Sequence, residues 1–286
     1  MHTVVESAVA TRSQPASRQP LLQGFDASTA SLAEEINATG LACLRGVIAD
    51  EWLEVARDSV TRSARTATSQ EVFIDDLASD PSSFAHPLVN DQRLEPFLRA
   101  VASACVPRLK GQPQMRIENE LRLVMGPPRS TRSLWFHYDS TAVTLVVPIV
   151  IPRAAPGTSG ELVLCPNRRP YRRSVAVNIL EKCVTQNDFY RRRFVSKLAS
   201  RKNTRTEVLE PGNAYLFNGY RSYHATLPCP PHSLRATLIL HVGEVHGDSR
   251  LLGWIQSVYR AVYWWARRHD DSVQMVTAGA GRDNLR

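Results

Sequence analysis

The sequence predicts a mainly β protein, a β-sandwich or jelly roll, with helices flanking its sheets. Helical periodicity dominates the first third of the chain, and at least six short strand patterns follow at regular spacing. The chain has 286 residues, of which 43% are hydrophobic and 22% are charged. A chain of this size and composition can bury a substantial core as one large domain without disulfides.

The N-terminal part contains the predicted flanking helices. Residues 1–24 lack periodicity and predict a disordered leader. Leu32 and Ile36 fall at helical spacing, and Asp50 is a suitable N-cap for the helix that follows it. We predict helices over 28–38, 51–60 and 91–106, a strand over 41–48, and mostly loop over the polar, proline-containing stretch 63–90.

From Met115 the pattern changes to alternating or β-branched apolar segments bounded by prolines and glycines. We predict strands over 115–125, 134–152, 160–166, 174–180, 206–210, 214–219 and 233–243. An arginine-rich helical insert is predicted around 187–205, and an aromatic-faced helix with Trp254, Tyr259 and Trp264 over 249–268. The expected organisation is a single domain over 25–270 with a flexible tail over 271–286.

The charge and cysteine content narrow the class of protein. The net charge is +8, and only four of the 35 basic residues are lysines. A positive net charge affects solubility and the attraction of anionic partners, but it does not indicate the fold. The five cysteines are scattered and contain no CxxC pair, which fits a reducing cytoplasm. No apolar run reaches the length of a membrane-spanning helix, so we expect a cytoplasmic protein with no membrane span.

A possible metal site begins at His137 and Asp139. On a strand, residues two apart project to the same face, so the imidazole and the carboxylate point together. His224 follows 87 residues after His137 and can supply a third ligand. Two histidines and one carboxylate leave three coordination positions open, which suits Fe(II) and O2. A His-x-Asp pair is also common by chance or as a salt bridge, and the pair alone does not decide between these readings.

Arg235 and Thr237 lie on one face of the predicted strand that follows His224. A guanidinium grips a carboxylate through two parallel hydrogen bonds, and a neighbouring hydroxyl can assist. The distal carboxylate of 2-oxoglutarate requires such a group. A buried arginine in an apolar strand needs an anionic partner, so the alternative is a structural ion pair with an internal Asp or Glu.

Four stretches of the sequence resemble the phytanoyl-CoA dioxygenase-like family of Fe(II)/2-oxoglutarate-dependent oxygenases. They are TGLACLRGVIADEWLEVARD (39–58), HYD (137–139), SGELVLCPNRR (159–169) and PGNAYLFNGYRSYHATLPCPPHSLRATLILHV (211–242). The resemblance implies a double-stranded β-helix core of the jelly-roll or cupin-like type. It also implies Fe(II) on His137, Asp139 and His224, and 2-oxoglutarate on Arg235, with a hydroxyl contributed by Thr226.

The resemblance further implies a dioxygenase that consumes 2-oxoglutarate and O2 and hydroxylates or otherwise oxidises an unactivated C–H bond. Relatives that transfer halide carry a small residue at the position of Asp139, so this carboxylate favours hydroxylation. The chain departs from the family where CPNRR (165–169) stands in place of the usual PGSH. The arginine-rich insert and the aromatic helix match no family motif, and members act on many small molecules, so the substrate stays open.

Several residues are hypotheses for substrate binding. Trp135 flanks the metal pair and can line the pocket, although core packing explains it equally well. Arg191, Arg192 and Arg193 lie in a part of the fold that the resemblance places near the pocket mouth, where they could bind an anionic group. The alternative is a solvated helix face. His241 shares a strand face with Arg235, and a hydrogen-bonded core role is the simpler interpretation.

Two other functions remain open on the sequence alone. A jelly-roll protein could bind a metal or ligand without redox chemistry. The positive charge could also indicate a nucleic-acid-directed oxygenase, although no nucleic-acid-binding motif is present and the basic stretches contain few aromatic residues. The sequence does not indicate the oligomeric state.

Overall fold

The computed structural model describes residues 28–112, 115–126, 133–246 and 273–277, the last of these as backbone only. Within these residues the helices are α1 (Thr29–Thr39), α2 (Asp50–Thr66), α3 (His86–Val89), α4 (Leu94–Cys105), α5 (Val175–Thr185) and α6 (Asp188–Val195). The strands are β1 (Leu41–Leu44), β2 (Glu71–Asp75), β3 (Ile117–Met125), β4 (Thr141–Val150), β5 (Leu162–Cys165), β6 (Arg205–Glu207), β7 (Ala214–Phe217), β8 (Tyr223–Thr226), β9 (Leu234–Glu244) and β10 (Val273–Thr277).

The strands form two sheets. The larger sheet has the order β1-β7-β4-β9-β3-β2-β10, and the smaller has the order β6-β5-β8. All strand pairs are antiparallel except β10 with β2. An isolated bridge between His137 and His224 extends the smaller sheet beyond β8. The fold is mainly β with flanking helices, a double-stranded β-helix, as the sequence analysis predicted.

Alternation along β9 divides the larger sheet into two faces. Leu238 and Leu240 point to a large core shared with α1, α2 and α4. Arg235, Thr237 and Ile239 point the other way, into a cavity between the two sheets. Because side chains alternate along a strand, β9 contributes residues to both the core and the cavity wall.

The smaller sheet is covered on its outer face by α6. Phe194 of this helix packs against Phe136 and Tyr223, with ring centroids 4.9 Å apart in both pairs. This aromatic packing fixes the segment just before His137 against β8. The position of His137 therefore depends on the packing of α6 against this segment.

The segment predicted as a strand over 174–180 is helical instead. Ser174 caps α5 by accepting a hydrogen bond from the Val177 amide, at 3.5 Å. Its apolar side chains Val177, Leu180 and Val184 are 48%, 66% and 50% exposed. The β-branched, apolar composition predicted a buried strand, but the residues occupy helical spacing on an outward face.

The stretch 63–90 is also more ordered than predicted, because it contains β2 and α3. β2 pairs with β3 along five residues, and Glu71 at its start is buried. The predicted helix cap also shifts by one position. Ala49 is the N-cap of α2, while Asp50 lies in the first turn, where its charge favours the helix dipole.

The flexible tail over 271–286 stays a prediction. Within it, residues 273–277 form β10, parallel to β2. The leader predicted over 1–24 and the helix predicted over 249–268 lie outside the described residues. Within the stretch predicted as a helical insert, the structure has α6 followed by a 3₁₀ turn, Leu198–Ser200. Among the described residues, no helix combines the length and apolarity that crossing a membrane requires.

The folded protein should show strong selectivity in thiol labelling. Cys183 is exposed, whereas Cys105 is buried, and burial raises the pKa of the Cys105 thiol to about 11. The thiolate is the reactive form, so a raised pKa slows reaction at neutral pH. We expect Ellman's reagent to modify Cys183 rapidly and Cys105 only on unfolding, as read by peptide mass spectrometry. Cys183→Ser is the control, and equal labelling of both thiols in folded protein would contradict the burial.

Candidate active site

A cavity of about 310 Å³ lies between the two sheets. Strands of both sheets and the C-terminal end of α5 line it. Its apolar walls come from β4, β5, β7 and β9. Its lining residues are Phe73, Glu120, Arg122, Trp135, His137, Asp139, Thr144, Val146, Leu162, Gln186, Leu209, Phe217, His224, Ala225, Thr226, Arg235, Thr237, Ile239 and His241.

The structure brings His137, Asp139 and His224 together in this cavity. The Asp139 Oδ1 atom lies 3.4 Å from Nε2 of His137 and 3.5 Å from Nε2 of His224. The three candidate ligand atoms all lie within 4.8 Å of one another. The His137–His224 bridge places the two histidines on adjacent extended segments, and Asp139 is held by a hydrogen bond from its amide to the Gly219 carbonyl, at 3.0 Å.

Both imidazoles present the correct nitrogen to a metal. Nδ1 of His137 lies 3.0 Å from the Trp135 carbonyl, and Nδ1 of His224 lies 3.0 Å from the Ser222 carbonyl. A carbonyl oxygen only accepts hydrogen bonds, so each Nδ1 carries the proton and each Nε2 keeps a free lone pair. Burial lowers the pKa of His224 to about 4, which keeps this ring neutral, the state that binds a metal.

Asp139 is prepared to coordinate through one oxygen. Thr144 donates a hydrogen bond to Oδ2 at 2.5 Å, which leaves Oδ1 facing the histidines. Burial raises the pKa of this carboxyl, but His224 and His137 outweigh burial and hold it well below its usual value. Two imidazoles and one carboxylate on one side of a cavity form a donor set that fits a divalent metal ion with further positions open.

The absence of a side chain at Gly219 leaves space for the Asp139 carboxylate, because a Cβ on Gly219 would lie 1.9 Å from the Asp139 Oδ2 atom. We expect Gly219→Ala to displace the carboxylate and to weaken metal binding about tenfold or more, measured by calorimetric titration. Gly46→Ala is the control. Its Cβ would meet nothing within 4 Å, although its φ of +62° costs about 1–2 kcal/mol of stability. Wild-type metal affinity in Gly219→Ala would refute this spatial argument.

Arg235 is a buried cation without a protein carboxylate. Its Nε donates to the Gly160 carbonyl at 2.9 Å and its Nη1 to the Thr237 hydroxyl at 3.3 Å. Among the described residues no acidic side chain forms an ion pair with it. Burial, and secondly repulsion by Arg122, lower its pKa to about 10, so the guanidinium stays charged at neutral pH. The structural ion pair considered above is therefore absent from the described part of the chain.

Gly160 allows this close approach of β5 to β9. A Cβ at this position would lie 2.4 Å from Cδ of Arg235, and its φ of +71° is a conformation that suits glycine. The glycine-rich stretch that carries the family resemblance thus packs directly on the arginine.

Thr226 lines the cavity. Its hydroxyl accepts a hydrogen bond from Nη1 of Arg122 at 3.3 Å. Arg122 is in turn paired with buried Glu71, with Nη2 2.6 Å from Oε1. The sequence analysis did not single out Arg122 or Glu71. The alternation of Arg122 with apolar residues along 115–125 was the available signal, but its partner lies in an unpredicted strand.

The remaining predicted residues have mixed positions. Trp135 lines the cavity, and His241 lines it too, with its Nδ1 3.2 Å from the Thr144 hydroxyl. Arg191 is buried, donates to the Phe136 carbonyl at 3.0 Å and stacks on the Trp135 ring, whereas Arg192 is exposed. The structure therefore does not bring Arg191 or Arg192 to the cavity wall.

Many of the arginines that raise the net charge make contacts inside the protein. Arg169 lies between two aromatic rings, 4.1 Å from the centroids of both Tyr138 and Tyr220. Arg168 and Arg201 lie over Phe194 at 4.7 and 4.1 Å. Such cation–π contacts stabilise the insert against the smaller sheet. They leave fewer arginines for the nucleic-acid interface considered above.

Comparison with solved structures supports the fold. The chain is similar to HygX from Streptomyces hygroscopicus, solved with nickel and 2-oxoglutarate bound, at a TM-score of 0.50 and 13% identity, covering 76% of this chain and 87% of that one. It is also similar to EctD from S. alaskensis with bound Fe (TM-score 0.49, 16% identity, 79% and 82% covered). A third similar structure is a prolyl 4-hydroxylase from Phytophthora capsici (TM-score 0.49, 11% identity, 86% and 78% covered). No family model and no curated protein matches the chain, so the phytanoyl-CoA dioxygenase-like resemblance stays a prediction.

Proposed function

We propose that this protein is an Fe(II)- and 2-oxoglutarate-dependent dioxygenase that hydroxylates or otherwise oxidises an unactivated C–H bond of a small molecule. One observation carries the proposal. A two-histidine, one-carboxylate site and a buried arginine without an acidic partner line the same cavity. A protein that binds only a metal ion needs the first feature but not the second.

The metal ligands are His137, Asp139 and His224 in this proposal. These residues would hold the metal ion, and a set of two histidines and one carboxylate would leave positions open for 2-oxoglutarate and O2. When bound, Fe(II) with 2-oxoglutarate and O2 supplies an oxidative decarboxylation that yields succinate, CO2 and the oxidising power for a C–H bond. The carbonyl groups behind His137 and His224 fix the ring orientations on which this geometry depends.

Arg235 binds the distal carboxylate of 2-oxoglutarate in this proposal. Burial makes an unpaired guanidinium costly, and a carboxylate with two oxygens relieves that cost through charge-assisted hydrogen bonds. Thr237 beside it and Thr226 across the cavity offer hydroxyl groups to the same ligand. Arg122 is neutralised by Glu71, so its main contribution is to orient Thr226.

The substrate carbon reaches the metal from the side of Trp135 and His137 in this proposal. The His137 side chain is 40% exposed, while those of Asp139 and His224 are 6% and 7% exposed, so the site opens on the His137 side. Phe217 and Ile239 are among the apolar residues that line the cavity. These side chains exclude water from the reacting groups.

Anaerobic reconstitution tests the proposal directly. Protein mixed with Fe(II) and 2-oxoglutarate without O2 should develop the visible charge-transfer band of a chelated 2-oxo acid. Admission of O2 should then yield succinate, while the Zn(II)-loaded protein yields none. Failure of the Fe(II) protein to bind 2-oxoglutarate would overturn the proposal. Binding without any succinate, across a panel of small-molecule substrates, would favour the non-redox ligand-binding protein instead.

A further inference from the structure

Three polar side chains in the cavity lining have no role in the proposed function. They are Glu120, Gln186 and His241. The other polar lining residues are the metal ligands, the arginines and threonines on the side of 2-oxoglutarate, and Thr144, which supports Asp139. The rest of the lining is aliphatic or aromatic. The chemistry of Glu120, Gln186 and His241 therefore indicates what kind of substrate group the cavity accommodates.

The proton of the His241 ring can be assigned from its contacts. Nδ1 of His241 lies 3.2 Å from the Thr144 hydroxyl and 3.8 Å from Oδ2 of Asp139. A hydroxyl has one proton, and Thr144 donates its proton to Oδ2 of Asp139. The Thr144 oxygen must therefore accept a hydrogen bond from Nδ1. The ring proton lies on Nδ1, and Nε2 carries the lone pair.

Nε2 of His241 has no hydrogen-bond partner in the part of the chain that the structure describes. Nδ1 is bonded to Cγ, whereas Nε2 lies on the outer edge of the ring, farther from the β9 backbone. The side chain is 26% exposed and lines the cavity on the same strand face as Ile239. Nε2 is therefore an unused hydrogen-bond acceptor beside the Asp139 carboxylate.

Gln186 approaches the same metal ligand from the C-terminal end of α5. Its Nε2 donates a hydrogen bond to the Tyr138 carbonyl at 3.3 Å, and Tyr138 immediately precedes Asp139. A carbonyl oxygen only accepts hydrogen bonds, so the amide turns its nitrogen toward Tyr138 and its oxygen away. Oε1 has no hydrogen-bond partner among the described residues. It is a second unused acceptor on a residue that lines the cavity.

Glu120 adds a negative charge to this part of the cavity. It is paired with Ile239 in the register of β3 and β9, and His241 follows two residues later on the same face. Glu120 and His241 are therefore diagonal neighbours, which lie about 7–8 Å apart in a sheet. One substrate molecule can contact both side chains. A carboxylate accepts hydrogen bonds, attracts a cation and repels an anion.

We propose that Nε2 of His241 and Oε1 of Gln186 bind hydrogen-bond donors of the substrate, hydroxyl or amino groups beside the carbon that is oxidised. This inference rests on the proposed function, because it places 2-oxoglutarate on Arg235. Arg122 is paired with Glu71, so the described lining offers no further Arg or Lys side chain to an anion. The enzyme would then favour polyols or amines over acids of the same shape, in place of the anionic group that the arginine-rich insert suggested.

Binding of small probes to the manganese-loaded protein tests the inference. The probes are cis-1,2-cyclohexanediol, cyclohexylamine and cyclohexanecarboxylate, which share one ring and differ in the polar group. Mn(II) and saturating 2-oxoglutarate are added first, without O2. Paramagnetic relaxation of the probe protons, measured against the Zn(II)-loaded protein, then reports binding close to the metal. We expect the diol or the amine to bind at least about threefold more tightly than the carboxylate. The preferred probe identifies the donor as hydroxyl or ammonium.

Two variants separate the acceptor atoms from their structural contacts. In His241→Asn the amide nitrogen can stand where Nδ1 stands and keep the hydrogen bond to Thr144, but no atom reaches the position of Nε2. Gln186→Met keeps the length of the side chain and removes Oε1. We expect each variant to weaken the preferred probe about threefold to tenfold. The affinities for Mn(II) and 2-oxoglutarate should be unchanged in both.

Gln70→Met is the matched control, because Gln70 is exposed and does not line the cavity. It should bind every probe as the wild type does. Wild-type probe affinity in either His241→Asn or Gln186→Met would remove that residue from the substrate site, and wild-type affinity in both would overturn the inference. Tighter binding of the carboxylate, or no binding of the diol and the amine near the metal, would overturn it as well. Loss of 2-oxoglutarate binding in the wild type, measured before the probes are added, would instead overturn the proposed function.

Discussion

Asp139→Ala is expected to lower the affinity for Fe(II) by more than about a hundredfold and to abolish succinate formation. Loss of a group that merely orients a ligand costs about 10–100-fold in metal affinity, so loss of a direct ligand should exceed that range. Asp139 is also the one carboxylate among the three candidate ligands His137, Asp139 and His224. Its Oδ1 atom lies within 3.5 Å of both imidazole Nε2 atoms. The measurement is a metal titration followed by quantification of succinate.

Thr144→Val provides a graded comparison for Asp139→Ala. It removes the hydrogen bond to Oδ2, at 2.5 Å, and the contact of the same hydroxyl with Nδ1 of His241, at 3.2 Å, but it keeps the carboxylate and the side-chain shape. We expect an intermediate loss of metal affinity, about tenfold. Thermal melting of the metal-free variants checks that each is folded. Full metal affinity and succinate formation in Asp139→Ala would show that the metal ligands have been misassigned.

The grouping of the candidate metal ligands could be predicted in part from local spacing and strand alternation. His137 and Asp139 stand two apart, and Arg235 and Thr237 share one strand face. The connection to His224 required the fold, and there the family resemblance supplied what spacing could not. The structure places all of these residues on one cavity.

The errors of the sequence analysis arise where tertiary contacts override local pattern. Residues 174–180 are apolar and β-branched, yet they form a helix whose apolar side is exposed. Pattern analysis assumes that apolar residues are buried, so it interpreted this segment as a strand.

The pairing of Arg122 with Glu71 shows a second limit. The two residues are 51 positions apart, and β2 is only five residues long within a polar stretch. A short strand of this kind gains its stability from pairing with β3 rather than from its own composition. The neutralised Arg122 beside the unpaired Arg235 could therefore be recognised only in the folded protein.

Arg235→Met is expected to weaken 2-oxoglutarate binding by about a hundredfold or more, equal to about 3 kcal/mol. The variant removes the charge but keeps a long apolar side chain over Gly160. Metal affinity should be unchanged, because Arg235 makes no contact with His137, Asp139 or His224. Anaerobic titration of the charge-transfer band gives the metal affinity and the 2-oxoglutarate affinity in one experiment. An Arg235→Met variant with wild-type affinity for 2-oxoglutarate would contradict the role of Arg235.

Thermal melting separates a cosubstrate-binding arginine from a structural one, with Arg122→Met as the matched variant. Arg122 neutralises buried Glu71, so its loss should destabilise the protein by about 3–5 kcal/mol. Arg235 neutralises no acidic residue of the described chain, so its loss should leave the melting temperature of the ligand-free protein unchanged or higher. In the wild type, 2-oxoglutarate at a hundred times its Kd should add about 2.7 kcal/mol of stability, and Arg235→Met should lose most of this gain. If Arg235→Met instead melted as early as Arg122→Met without ligand, Arg235 would have a structural role, because only a cation that awaits an external anion can be removed without cost to the empty fold.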